Sequence, residues 1–448
     1  MRTSKMKNLY LLLLFNLVVI IGFSQPENYN KAAEEFNKLM YLKNDSLIVH
    51  CENKIIEYAP KSEFALYVFA WKYFDDENDS MAFKLASDLT KDYPSFAAGH
   101  YALGSFENNI NGNYEKAIGH FNKAVEIDPK FSFAYRNTGI ALFNLEKYPE
   151  ADIQFQKSMD LYTEDTICLQ FYGMNLYMLG DYEKANGILS TIRDEDVLIP
   201  DFYYYYGYSL ESMELYADAL IAFSKGIMMD PEDPEMLFGH GWMNYQLGND
   251  KDALYDFSVS TVLDSAFTDG YFGAGMVYSQ MGKYKEALNE FNILLSIDSL
   301  YPDGNFYRGA VLYELKYFEY ALDDFNKAIC LDPEDSYGYY YRCLTNMADG
   351  EIMEDDLNDF QTAIDKGNAD PEIYLSIATI ALDFVPGLSE KAISKALEID
   401  SEYADAIYFK GKHIEKDPDK ACEFFKKAEM LGNRDAGKAF KKNCKSNL

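Results

Sequence analysis

Apolar residues in the central part of the chain recur at spacings of three and four, and the runs come in pairs. The stretch from Pro200 to Asp233 shows one pair. Asp201 is placed to cap a first helix, and Tyr203, Tyr206, Gly207 and Leu210 share one face of it. A short turn near Glu214 leads to a second helix with Ala219, Leu220, Phe223 and Ile227 on one face. That helix stops at Met229-Asp230-Pro231, because proline cannot continue a helix and biases the preceding residue out of it. Gly207 and Ala219 are small so that the two helices approach closely, with Phe223 filling the space beside them. A bulky residue at either small position costs roughly 1–3 kcal/mol by overpacking.

The pair repeats. Ala117, Ala151, Ala185, Ala219, Ala253, Ala287 and Ala321 stand 34 residues apart. Gly139, Gly173, Gly207, Gly241, Gly275 and Gly309 keep the same step. So do Phe121, Phe155, Leu189, Phe223, Phe257, Phe291 and Phe325, four residues after the alanines. A strict period of this length predicts a stacked-repeat solenoid, in which each unit packs on its neighbours. The pattern loosens toward both ends. Ala82, Leu89 and Pro94 mark an earlier unit set off by one residue, and a weaker one ends at Ala59-Pro60. Downstream, Phe360 and Ala363 come one residue late, and Asp356 stands where alanine is expected. The last unit, with Gly411, Ala421, Phe425 and Ala428, has a shortened turn.

The fullest copies read Asn113-Tyr114-Glu115-Lys116-Ala117-Ile118 through Lys123-Ala124-Val125-Glu126-Ile127-Asp128-Pro129, then Lys283-Tyr284-Lys285-Glu286-Ala287-Leu288, and Lys327-Ala328-Ile329-Cys330-Leu331-Asp332-Pro333. This pattern resembles the tetratricopeptide repeat. The resemblance implies an all-α, right-handed α-solenoid of about twelve antiparallel helix pairs closed by a C-terminal capping helix. The expected layout is a signal peptide at 1–24, degenerate repeats at 25–97 and a regular array at 98–335. Degenerate repeats at 336–433 and a cap with its tail at 434–448 complete it.

Charge narrows the partners. The net charge is −32, so no basic stripe is available to neutralise nucleic-acid phosphates or an anionic membrane. Only the end beyond Lys410 is locally basic. Arg2, Lys5 and Lys7 precede an apolar stretch from Leu9 to Phe23, with small residues at Gly22 and Ser24. This reads as a secretory leader cleaved after Ser24, with an uncleaved anchor as the alternative. No later stretch is long and apolar enough to span a membrane, and a monomer is expected. The expected location is the periplasm or the extracellular space of a Gram-negative-type bacterium.

No catalytic constellation is legible. His50, His100, His120, His240 and His413 are scattered without metal spacing, and no phosphate loop or nucleophile elbow occurs. The reading is therefore a non-enzyme with no cofactor, metal or catalytic residues. Export would put the cysteines in an oxidising compartment. A short turn at Leu431-Gly432-Asn433 would fold the last helix back and bring Cys422 and Cys444 together. This ending also resembles that of other exported bacterial tetratricopeptide proteins. Cys330 and Cys343 form a weaker candidate pair, Cys51 and Cys168 read as single buried residues, and six ordinary core thiols remain the alternative. Ser46, Ser80, Thr166, Ser265 and Ser299 each follow an aspartate and precede an aliphatic residue or methionine. This resembles a bacterial O-glycosylation acceptor, although Asp-Ser is also common at helix caps and turns.

In tetratricopeptide arrays the first helix of each unit lines a concave groove. Carried over by that resemblance, the groove residues are Arg136, Ile140 and Phe143; Gln170, Met174 and Tyr177; Tyr204 and Tyr208; Phe238, Trp242 and Tyr245; Phe272 and Met276; Phe306 and Tyr313; and Tyr340. The stripe is aromatic, and Arg136 is its one clear cation. The implied function is a protein-interaction scaffold that takes a protein or peptide in this groove. The alternatives are glycan binding by the same aromatic faces, or rings that simply pack on their neighbours.

Overall fold

The computed structural model describes residues 63–444 apart from 200, 350–353 and 368, together with Val49 and Asn53. The leader, the repeat ending at Ala59-Pro60, Ser46, His50, Cys51 and the final residues from 445 lie outside the described residues. Those described form 23 α-helices and no strand. They fall into two compact units, residues 1–231 and 232–448.

Among the described residues, the first unit holds five helix pairs. They are α1 (Glu63–Asp75) with α2 (Asp79–Asp92), α3 (Ala97–Asn111) with α4 (Tyr114–Ile127), and α5 (Ser132–Asn144) with α6 (Tyr148–Leu161). Then come α7 (Thr166–Met178) with α8 (Tyr182–Leu189), and α9 (Asp201–Glu211) with α10 (Tyr216–Met229). The second unit holds six more. These are α11 (Pro234–Gln246) with α12 (Asp250–Leu263), α13 (Thr268–Gln280) with α14 (Tyr284–Ile297), and α15 (Gly304–Glu314) with α16 (Phe318–Leu331). The last three are α17 (Ser336–Asp349) with α18 (Glu354–Lys366), α19 (Pro371–Ala381) with α20 (Pro386–Ile399), and α21 (Ala404–Phe409) with α22 (Pro418–Met430). A closing helix, α23 (Arg434–Asn443), follows.

The seam inside each pair follows the small–large logic of the sequence. Every periodic alanine from Ala117 to Ala321 is fully buried, as are the six phenylalanines and Leu189 that follow them. A Cβ added at Gly207 would lie 2.6 Å from the Phe223 ring, and one at Gly275 would lie 2.7 Å from Phe291. Each ring therefore occupies the space that the glycine leaves open.

The turn between paired helices has a period of its own. Gly112, Glu146, Gly180, Glu214, Gly248, Gly282 and Lys316 all take left-handed φ values between 58° and 77°, and successive members are 34 residues apart. Glycine adopts this conformation without a Cβ clash, whereas the two glutamates and the lysine are held there by the helices on either side.

The fourth pair departs from regularity. Helix α8 ends at Leu189, after only eight residues. Ser190 and Thr191 turn their hydroxyls back onto the carbonyls of Gly187 and Ile188, which competes with continued helix. The chain then passes through a single 3₁₀ turn at Asp194–Asp196. Gln170 pins this segment, accepting from the Leu198 amide at 3.1 Å and donating to the Asp196 carbonyl at 3.3 Å.

At the C-terminal end, α21 runs into a single π turn at Lys410–Ile414. Cys422 on α22 is joined to Cys444, the cap of α23, with Cα atoms 5.7 Å apart. Cys330 and Cys343 are not joined: the first is exposed, and the second is buried with its sulfur 3.8 Å from that of Met347. Cys168 is fully buried, and burial raises its thiol pKa to about 12.

Candidate partner-binding surface

The first helices of successive pairs present the candidate residues, and the structure divides them into two groups. Arg136 and Met174 are 1% and 2% exposed and face the interior, contrary to the sequence expectation. Gln170 and Tyr340 are buried with them. The other members are half-buried: Phe143, Tyr177, Tyr204, Tyr208, Phe238, Trp242, Tyr245, Phe272, Met276, Phe306 and Tyr313, as is Ile140.

Arg136 is removed from any ligand by its own partners. Its Nη1 donates to Asp165 Oδ2 at 2.9 Å, its Nε donates to Asn137 Oδ1 at 3.0 Å, and its guanidinium lies 4.9 Å from the Phe133 ring centre. Asp165 in turn caps α7 by accepting the Cys168 amide. Burial alone would favour the neutral guanidine, but Asp165 outweighs it and holds the charge above arginine's usual range. Arg136 therefore ties α5 to α7 as a structural cation. Met174 is buried on α7. Around it, α9 packs against α7 as well as against α8, and Gln170 is covered by the 194–198 segment to which it is hydrogen-bonded.

In the first unit the remaining rings form one connected cluster. Phe143 and Tyr177 both meet Tyr205, at 6.2 and 5.5 Å between ring centres, and Tyr205 meets Tyr204 at 5.3 Å. Tyr204 and Tyr208 stand 4.6 Å apart. In the second unit Phe238 stacks on Trp242 at 6.0 Å, and Trp242 meets Tyr245 at 5.2 Å. Phe238 also leans on the buried Phe257 at 5.6 Å. Phe272 meets Tyr307 at 5.4 Å, while Phe306 and Tyr313 both meet Tyr341, at 5.4 and 6.4 Å. One edge of each ring is thus set in the repeat core and the rest remains open.

Tyr205 links the rings of the first unit, and Tyr307 and Tyr341 link rings of the second; none of the three is among the residues expected from the sequence. They occupy one register position together with Phe171, and Gly239 and Gly273 fall at the same step. That alternation of aromatic residue and glycine was the available signal. Burial pushes the hydroxyls of Tyr177, Tyr245, Tyr307 and Tyr341 above the usual phenol range, so each remains a neutral donor at physiological pH. The surface therefore offers ring faces and phenolic donors. Among the described residues, no group of three or more His, Cys, Asp and Glu is placed to hold a metal ion, and no helix is long and apolar enough to cross a membrane.

Comparison with known proteins follows this geometry. Residues 82–130 and 268–299 match the tetratricopeptide-repeat family, the second stretch coinciding with the α13–α14 pair. The chain contains tetratricopeptide repeats. Among curated proteins, it is 22% identical over 183 residues to anaphase-promoting complex subunit 3 of Schizosaccharomyces pombe (strain 972 / ATCC 24843). That match covers 37% of this chain and 27% of the relative. The tetratricopeptide chain thus spans about a quarter of that relative's length. Solved structures similar to it include MamA, 20% identical over 36% of this chain and 93% of its own, with a TM-score of 0.33. The APC/C hetero-tetramer Cut9–Hcn1 is 11% identical over 93% of this chain and 97% of that one, with a TM-score of 0.39.

Proposed function

We propose that this tetratricopeptide protein is an exported, non-enzymatic scaffold that binds a protein or peptide along the first helices of its repeats. The observation that carries this reading is the half-buried aromatic strip. Within each unit, rings on successive first helices stand 5.4–6.4 Å apart, and their side chains are half-buried. Aromatic side chains held this way lose little freedom on binding and supply large contact areas, which is why they dominate protein interfaces. The leader-like Arg2–Ser24 segment supports export, and the net charge of −32 favours a polypeptide partner over a nucleic acid.

The test is affinity capture from envelope extract of the source cell, quantified by mass spectrometry. Trp242→Ala with Tyr245→Ala is compared with the wild type and with Tyr255→Ala, a control ring 69% exposed on α12. The strip variant is expected to lose at least about tenfold of the captured partner, or about 1.4 kcal/mol, while Tyr255→Ala captures it normally. Equal capture by all three proteins would contradict the reading.

A further inference from the structure

Two successive repeats of the second unit hold a guanidinium at one register position, and the repeat before them carries the acceptors without it. Arg308 on α15 forms a two-point pair with Asp324 on α16, Nε to Oδ2 at 2.6 Å and Nη2 to Oδ1 at 2.7 Å. Its remaining nitrogen, Nη1, donates to Asn292 Oδ1 of the preceding pair at 3.1 Å. One repeat later Arg342 does the same. It meets Asp359 at 2.8 and 2.7 Å and Asn326 of the preceding pair at 2.8 Å. The register is fixed: the arginine directly precedes the seam position, Gly309 in one copy and Cys343 in the other, the acid directly precedes the seam phenylalanine, and the third acceptor directly follows the phenylalanine of the preceding repeat.

One repeat before Arg308 the same three positions are Ala274, Glu290 and Ser258. The two acceptors are kept and the donor is reduced to a methyl group. A cavity of about 240 Å³ occupies the space, lined by Ser258, Thr261, Gly270, Ala274, Tyr278 and Glu290. Glu290 is half-buried, and its one hydrogen bond comes from the Asn289 amide at 3.3 Å. No lysine, arginine or histidine among the described residues forms an ion pair with it. The nearby Lys283 instead lies 5.8 Å from the Tyr278 ring centre. Burial pushes the Glu290 carboxyl above its usual range, which a cationic partner would reverse. Ser258 is exposed, so the cavity opens to solvent at that edge.

We propose that this cavity receives the guanidinium of an arginine side chain on a partner polypeptide, with Glu290 as the two-point acceptor and Ser258 as the third. A guanidinium fits better than an ammonium, because the next two copies, at Arg308 and Arg342, each bind a planar fork through one carboxylate and one further oxygen. The site is separate from the aromatic strip. Ala274 and Tyr278 lie on the opposite side of α13 from Phe272 and Met276, two positions away in a 3.6-residue turn.

The test uses the full chain with labelled alanine and threonine methyl groups. Nα-acetyl-arginine N-methylamide is titrated while the Ala274 and Thr261 methyl resonances are followed, beside the neutral citrulline and the lysine analogues. A saturable shift with the arginine compound is expected. It should weaken at least about tenfold with citrulline, with lysine and in Glu290→Gln. Ala274→Arg should abolish it by filling the site from within. No saturable shift would overturn the proposal, as would equal binding of the citrulline or lysine analogue, or undiminished binding by Glu290→Gln. Should Ala274→Arg not fold, Glu290→Gln alone decides. Because the strip lies on another face, loss of arginine binding leaves capture by the Trp242 surface unchanged, and the two readings fail separately.

Discussion

Replacing Arg136 with methionine is expected to destabilise the first unit by about 3–5 kcal/mol, the usual cost of stripping one member from a buried ion pair. The side chains of Arg136 and Asp165 are 2% and 0% exposed. Methionine fills much of the arginine volume, so the loss is mainly electrostatic. Asp165 is left as a buried carboxylate whose remaining described contact is the Cys168 amide it caps. Asn137 still reaches the Tyr101 hydroxyl at 2.8 Å, but its link to the arginine is gone. The measurement is urea unfolding followed by Trp71, which lies 6.5 Å from Tyr101, in a Trp242→Phe background. Adding Asp165→Asn keeps a capping oxygen and removes the stranded charge, so the double variant should recover part of the loss. A single variant within about 1 kcal/mol of its parent would mean that the pair is solvated, contrary to its burial.

Replacing Cys422 and Cys444 with serine is expected to loosen the end of the second unit by about 3 kcal/mol, the chain-entropy value for a loop of this size. The two residues are 22 positions apart. Helix α23 packs on α22, and among the described residues it is the last helix, so the bond ties it to the pair before it. Helix α23 is also short, with Ala436 and Gly437 buried, Phe440 half-buried and Lys438, Lys441 and Lys442 exposed. The effect should be local. Amide exchange at residues 434–443 should accelerate by about a hundredfold, while exchange in α11–α16 stays unchanged. Unchanged exchange in α23 would show that its packing on α22 suffices without the bond.

Much of the fold was legible because steric necessity writes it into the sequence. Gly207 cannot carry a Cβ beside Phe223, and the same holds at each repeat, so the 34-residue step survives in the residues themselves. The turn period was harder to read. Its left-handed position is glycine at 112, 180, 248 and 282 but glutamate or lysine at 146, 214 and 316. A strained φ costs only about 1–2 kcal/mol, which neighbouring helices can outweigh, so residue type is a leaky signal there. The candidate surface was legible in part. Its half-buried rings lie on the expected helices, but the burial of Arg136, Gln170 and Met174 depends on contacts between repeats. Arg136 needed a carboxylate 29 positions away. Gln170 needed the 194–198 segment, 26 and 28 positions away, to which it is hydrogen-bonded. No periodicity within one helix carries that information.

The chain has two tryptophans, Trp71 and Trp242, and Trp71 is 5% exposed within the first unit. A Trp71→Phe variant therefore leaves Trp242 as the sole indole reporter, set in the aromatic strip between Phe238 and Tyr245. The captured partner is titrated into this variant while Trp242 emission and iodide quenching are read beside an independent binding isotherm. If the first helices form the binding surface, emission shifts to the blue and quenching falls, both saturating with the isotherm. Saturable binding with Trp242 emission and quenching unchanged would contradict the account.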